Sequence, residues 1–346
     1  MRHRRQVSLC ALLPLMLAPV SAQTPSSAAK PKSGANWTVP RMPDGHPDFQ
    51  GIWTNATLTP LERPPELAAK ATLTEAEAAA YQKQLLLQDD RDRRDGSATA
   101  DLGRAYNEAW FEKGTSIVGT RRTSLIVDPP DGRVPPLTPA AQKKLDAAIM
   151  HANLHPADGP EDRPLAERCV LWPTAGPPML PGVYNSNYQI VQGPGVVSIL
   201  IEMIHDVRII PTDGRPHLPA SIRQWMGDPR GHWEGDTLVV ETTNFTDKTS
   251  DIGAGMRRST FHGSDEQLRL IERFTRVGPD TLLYEFTVDD PTAFTKPWTA
   301  QIPMTRTSGP IFEYACHEGN YAMTTVLAGT RAEEKKAEEK ARTGSQ

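Results

Sequence analysis

Two ionisable residues sit among apolar neighbours in stretches that alternate like β-strands. Every second residue from 201 to 209 reads Ile201, Met203, His205, Val207, Ile209; from 268 to 274 the same count gives Leu268, Leu270, Glu272, Phe274. Successive strand side chains point to opposite faces, so this pattern predicts that His205 and Glu272 project to apolar sides. A charge placed there must be paired, hydrogen-bonded or neutralised. Two readings stay open where the faces are assigned correctly, and a misassigned face is the remaining alternative. Each residue has a structural partner, such as a nearby arginine or backbone group, or His205 and Glu272 form a catalytic acid–base pair in a cavity.

The stretch "HDVRIIPTDGRPH" adds Asp206, Arg208, Asp213, Arg215 and His217. Alternation puts Asp206 and Arg208 on the face opposite His205, and His217 follows a turn at a rim. His205, His217 and His232 with a carboxylate have the right atoms for a metal, yet no compact ligand spacing such as HExxH joins them. The expectation is metal-independent chemistry without a cofactor. No GxSxG elbow, Walker loop or Rossmann glycine fingerprint occurs, so nothing supports common nucleophilic hydrolysis or nucleotide binding. Tryptophan faces stack on rings and arginine forks bind carboxylates. Arg215, His217, Trp225, His232 and Trp298 are therefore the expected substrate-binding set, although the tryptophans would serve equally well as core. In "GHWEGDTLVVETTNF", Glu234-Gly235-Asp236 parallels the later "GPDTL" and reads as a hairpin tip, with Trp233 as an anchor.

These residues need a scaffold, and the chain predicts one that is mainly β. Period-two patterns appear at 187–192, 196–204, 205–211, 235–245, 268–277, 281–289, 298–306 and 311–316. Tight links such as Gly193-Pro194-Gly195 and Gly278-Pro279-Asp280 imply antiparallel neighbours. The expected architecture is an antiparallel meander over 166–328, a β-barrel or strongly curled sheet, lipocalin-like. Apolar faces are Leu282, Tyr284, Phe286, Val288; Trp298, Ala300, Ile302, Met304; and Phe312, Tyr314, Cys316. Residues 46–165 read as helices and loops packing on that barrel. Thr74 and Glu77 form a capping box ahead of a helix to about Arg94. A short helix is expected near Leu102–Lys113, and Thr138-Pro139 starts a third. Residues 329–346 form a charged tail.

The first 22 residues carry three arginines and a histidine before a short apolar run, the form of a secretory signal peptide. Residues 23–45 read as a linker. Cys10 lies in the apolar run, which leaves Cys169 and Cys316 as a disulfide pair in a periplasmic or extracellular protein. With a formal charge of −4 over 346 residues, no basic field recruits nucleic acid. After signal cleavage no membrane segment is expected, so the partner is a small molecule.

"PDGHPDFQGIW", "IHDVRIIPTDGRPHLP", "GHWEGDTLVVETTNFTDKT" and "DDPTAFTKPWT" together resemble a large group of exported bacterial proteins. The resemblance spans nearly all of the chain beyond residue 22. It implies shared architecture and export and brings no catalytic residues with it. The functional expectation is an exported enzyme of lyase or isomerase type acting by acid–base chemistry on a small ring-bearing substrate, sugar-like or phenolic. The alternatives are a lipocalin-like carrier and a structural protein with a packed barrel.

Overall fold

The computed structural model describes residues 37–94, 96–102, 107–172, 174–248 and 266–343. The expected signal peptide, residues 23–36 of the linker and the last three residues of the tail lie outside them.

Ten strands form one antiparallel sheet: β1 (Gly51–Thr54), β2 (Ile126–Asp128), β3 (Asn187–Gly193), β4 (Val196–Ile201), β5 (Val207–Pro211), β6 (Asp228–Glu234), β7 (Thr237–Thr243), β8 (Arg269–Gly278), β9 (Thr281–Asp289) and β10 (Trp298–Thr307). The strand order is β5-β4-β3-β1-β10-β9-β8-β7-β6, with β2 also paired to β10. Two of these strands, β1 and β2, come from the stretch read as helices and loops, and β1 sits mid-sheet between β3 and β10. Strands of three and four residues are too short to show alternation.

The sheet curls without closing into a barrel. A Cβ added at Gly231 of β6 would lie 2.9 Å from the Thr212 methyl and 3.0 Å from that of Ile210 in β5, so the two edge strands come into side-chain contact. No ladder joins them. Pro211 ends β5 and Pro229 lies within β6, and proline has no N–H to offer such a ladder. That same edge position tolerates the Pro and Gly of "DPRGHWE", which hid β6 from the alternation search. His232-Trp233-Glu234 therefore ends a strand, and the hairpin tip is at Gly235-Asp236, with Gly235 at φ 59°.

The long strands β8, β9 and β10 alternate as the sequence predicts. Their inward residues align in layers: Phe274 beside Tyr284 beside Ile302, Glu272 beside Phe286 beside Ala300, and Leu270 beside Val288 beside Trp298. All of these are 0–1 % exposed. The 311–316 segment is not a strand, and its Phe312 is 61 % exposed. Both edges of β10 are already taken by β9 on one side and by β1 and β2 on the other, which leaves nothing there for another strand to join.

The helices α1 (Glu75–Gln88), α2 (Ala98–Leu102), α3 (Pro139–Leu154) and α4 (Tyr321–Thr343) surround the sheet elements in sequence. Thr74 and Glu77 make the reciprocal capping box and Thr138 caps α3. Helix α1 stops at Gln88, short of Arg94. Of the helix expected over 102–113, residues 103–106 lie outside the described residues; α2 spans Ala98–Leu102 and a single 3-10 turn spans Glu108–Trp110. The tail folds as the C-terminal half of α4. Cys169 and Cys316 are disulfide-bonded. Among the described residues no helix is long and apolar enough to cross a membrane. The disulfide is compatible with an exported protein.

The N-terminal strap meets the β6–β7 hairpin. His46 stacks on Trp233 with ring centroids 4.5 Å apart and an interplanar angle of 8°, and Phe49 packs on the same indole at 5.4 Å. Arg41 reaches Asp236 at 2.9 Å. Trp233 is the anchor the sequence predicts, and what it anchors is the "PDGHPDF" turn.

Candidate functional site

Glu272 and His205 are not brought together. Glu272 lies at the centre of the curled sheet, 0 % exposed. Both its oxygens accept from Arg208 of β5, at 2.9 and 2.5 Å, and Tyr284 donates to Oε1 at 2.8 Å. The Tyr284 hydroxyl in turn accepts from the Met179 N–H at 3.0 Å. Burial alone would lower the Arg208 pKa, but the Glu272 charge and hydrogen bonds outweigh it and the net direction is upward. Burial, with the Glu272 charge added, raises Tyr284 well above the usual phenol range. This group is a locked ion pair with a protonated phenol. Of the two readings open for Glu272, the structural partner is the one present.

His205 is exposed, which corrects the expected face. A 3-10 turn, Met203–His205, interrupts the alternation, with Ile204 at φ 61° and His205 at φ 49°. The turn shifts the strand phase by one residue, and such a shift exchanges the faces. In β5 it is Arg208 and Ile210 that are buried, while Val207 and Ile209 are 49 % and 53 % exposed. The His205 Nδ1 lies 2.9 Å from the Tyr314 carbonyl oxygen. A carbonyl only accepts, so Nδ1 is the donor in this bond.

The expected substrate-binding residues are dispersed. Trp298 is fully buried core, edge-on to Phe286 and Phe294, which removes it from any ligand surface. Arg215 is exposed and engages its own turn residue, Asp213. His232 is exposed, 3.2 Å from Glu234. Trp225 is half-buried in the connection between β5 and β6. His217 alone enters a polar cluster: its Nδ1 is 3.1 Å from the buried Asp228 carboxylate and its Nε2 is 3.7 Å from Glu241. Asp228 also accepts from the Leu218 N–H and Arg230, so this cluster fastens the 212–227 connection to the β6–β7 hairpin. Among the described residues, no three or more His, Cys, Asp or Glu are grouped to hold a metal ion.

The arrangement with most chemical capacity lies at one end of the sheet, where β1 and β10 end and β3 begins. A cavity of about 360 Å³ opens there, lined by Phe111, Glu112, Lys113, Asn187 and Phe312 among others. Glu202, 1 % exposed, does not line the cavity but is hydrogen-bonded to two residues that do. The Glu202 oxygens accept from the Asn187 side chain at 2.7 Å and from the Phe312 N–H at 2.9 Å. Glu112 is fixed through its backbone, its N–H donating to Val183 at 2.8 Å. Partial burial, then the Glu202 charge, pushes the Glu112 carboxyl above the usual carboxylate range, against a lowering hydrogen bond from the Asn185 backbone. Arg91 and Lys113 sit over the Phe111 ring at 5.0 and 5.8 Å. Lys113 pairs with Glu108 at 2.9 Å.

Glu112, Glu202, Asn187 and Phe111 are not among the residues the sequence singles out, and Phe312 is expected only as part of an inward strand face. Glu202 was within reach: it sits in the same strand reading as His205, on the alternate positions. Glu112 had no periodic context, since it follows a single 3-10 turn. His205 reaches the 310–316 segment next to this cavity through Tyr314, although it does not line the cavity itself. No family model, curated protein or solved structure matches this chain.

Proposed function

We propose that the protein is an exported acid–base enzyme of lyase or isomerase type, acting on a small polar ring, sugar-like or phenolic, in the cavity at the sheet end. The observation that carries this reading is the placement of Glu112 in that cavity beside the buried Glu202 carboxylate. Partial burial and the charge of the neighbouring Glu202 both favour the protonated form of Glu112, which suits it to act as a general acid. Glu202 has both oxygens engaged, so its role is to hold the proton on Glu112. Glu112 then protonates the leaving oxygen as its C–O bond breaks, and the resulting carboxylate takes the proton from the adjacent carbon, whose C–H electron pair becomes the new C=C bond. The exposed Phe312 offers a ring face at the wall, and the volume lies within the usual range for small-ligand sites.

The test is turnover of a panel of monosaccharides, glycosides and simple phenols by wild type and Glu112→Gln, with thermal melts on the same preparations. General acid–base catalysis contributes about 10²–10⁴-fold, so the variant loses turnover on that scale while melting like wild type. Full turnover in Glu112→Gln overturns the assignment. Binding of panel members without turnover would favour the lipocalin-like carrier reading, with the end cavity as its ligand site in place of the sheet interior, where Arg208 and Glu272 meet.

A further inference from the structure

A second cavity of about 420 Å³ lies next to the first, and Lys113 lines both. Its character differs. The walls include Leu58, Leu61, Leu85, Leu125, Trp172 and Leu180, contributed by separate stretches of chain. Leu125 is 0 % and Leu180 7 % exposed, so the apolar lining continues into the buried core. Trp172 belongs to an aromatic group with Tyr184 and Tyr314, at centroid distances of 6.0 and 6.1 Å, which holds its ring in place. The charge at the shared rim is neutralised, because Lys113 is paired with Glu108 and also donates to the Asp89 carbonyl.

We infer that this second cavity binds a small uncharged apolar ring and seats the apolar substituent of the substrate whose polar ring occupies the Glu112 cavity. The apolar walls disfavour a charged occupant, since an unpaired charge there would lose its hydration. Lys113 is paired, and the Asp89 carboxylate also on the lining further disfavours an anion. Two adjoining cavities, one of mixed lining that carries Glu112 and Asn187 and one mainly apolar, accept one molecule with a polar ring and an apolar substituent. The second half of this inference rests on the reading of the Glu112 cavity; the first half does not.

Indole serves as the probe, titrated calorimetrically into the mature chain. It binds wild type, and Leu85→Trp and Val183→Trp, which place a large ring at the wall and at the rim, each weaken binding at least tenfold. Glu112→Gln leaves indole binding unchanged. No indole binding to wild type, or binding undiminished in both blocked variants, overturns the site whatever Glu112 does. For any ring substrate turned over, indole raises KM without lowering kcat, and this effect disappears in Val183→Trp. An unchanged KM with indole bound overturns the substituent role.

Discussion

Removing the Glu272 charge should show what the centre of the sheet does. Glu272→Gln leaves the Arg208 guanidinium, whose side chain is 1 % exposed, without its bidentate carboxylate. Breaking one partner of a buried ion pair costs about 3–5 kcal/mol, because the remaining charge stays desolvated and uncompensated. Unfolding entropy near 2.1 cal/mol/K per residue gives about 0.6 kcal/mol/K for a folded unit of roughly 300 residues, so the melting temperature falls by about 5–8 °C. The paired variant Arg208→Met/Glu272→Leu removes both charges and keeps apolar volume, and should recover most of that loss, since replacing a whole buried pair by hydrophobic residues is often neutral or better. Tyr284 then loses its acceptor, which holds recovery below complete by about 1 kcal/mol. Calorimetric melts of the three proteins, with guanidinium titrations for the free energies, decide the matter. A Glu272→Gln protein melting within a degree of wild type would refute the reasoning. So would a double variant less stable than the single one.

The raised pKa of Glu112 has a sign that can be checked. Its folded-state affinity for the proton exceeds the unfolded value of about 4.3, so its stabilising contribution is fully present below that pH and is lost as pH rises through the raised value. Turnover should fall along the same limb, and Glu112→Gln should remove this pH dependence from melts taken across that range. Thiol titration of the denatured, unreduced protein should find no free thiol at Cys169 or Cys316. Replacing both by serine should lower stability by up to about 5 kcal/mol in the chain-entropy view of a loop this long, and an unchanged denaturation midpoint would contradict it. Gly231→Leu should cost about 1–3 kcal/mol through overpacking, because the added side chain meets Thr212 and Ile210 across the two sheet edges; a neutral result would mean that β5 and β6 do not hold each other.

Local patterning in the sequence was enough for the long strands and for the helix starts. Leu282, Tyr284, Phe286 and Val288 alternate without interruption, so both the strand and its buried face could be read directly, and the structure buries all four. Thr74 with Glu77 and Thr138 with Pro139 are short-range signals, and both mark helix starts. Cys169 and Cys316 pair as their number predicts. What required the tertiary structure was everything set by a change of phase or by partners distant in sequence. Alternation carried through 201–209 assigned His205 inward and Arg208 outward; two residues with positive φ reversed that. The partner of Glu272 lies 64 residues away on a strand that is not its neighbour in the sheet, and only the curl of the sheet brings the two together. Glu112 and Glu202 meet at an end where several chain segments converge, each too short to carry a period. Periodicity records which face a residue presents within one strand, whereas the curvature of the sheet and the pairing of its strands determine what that face meets.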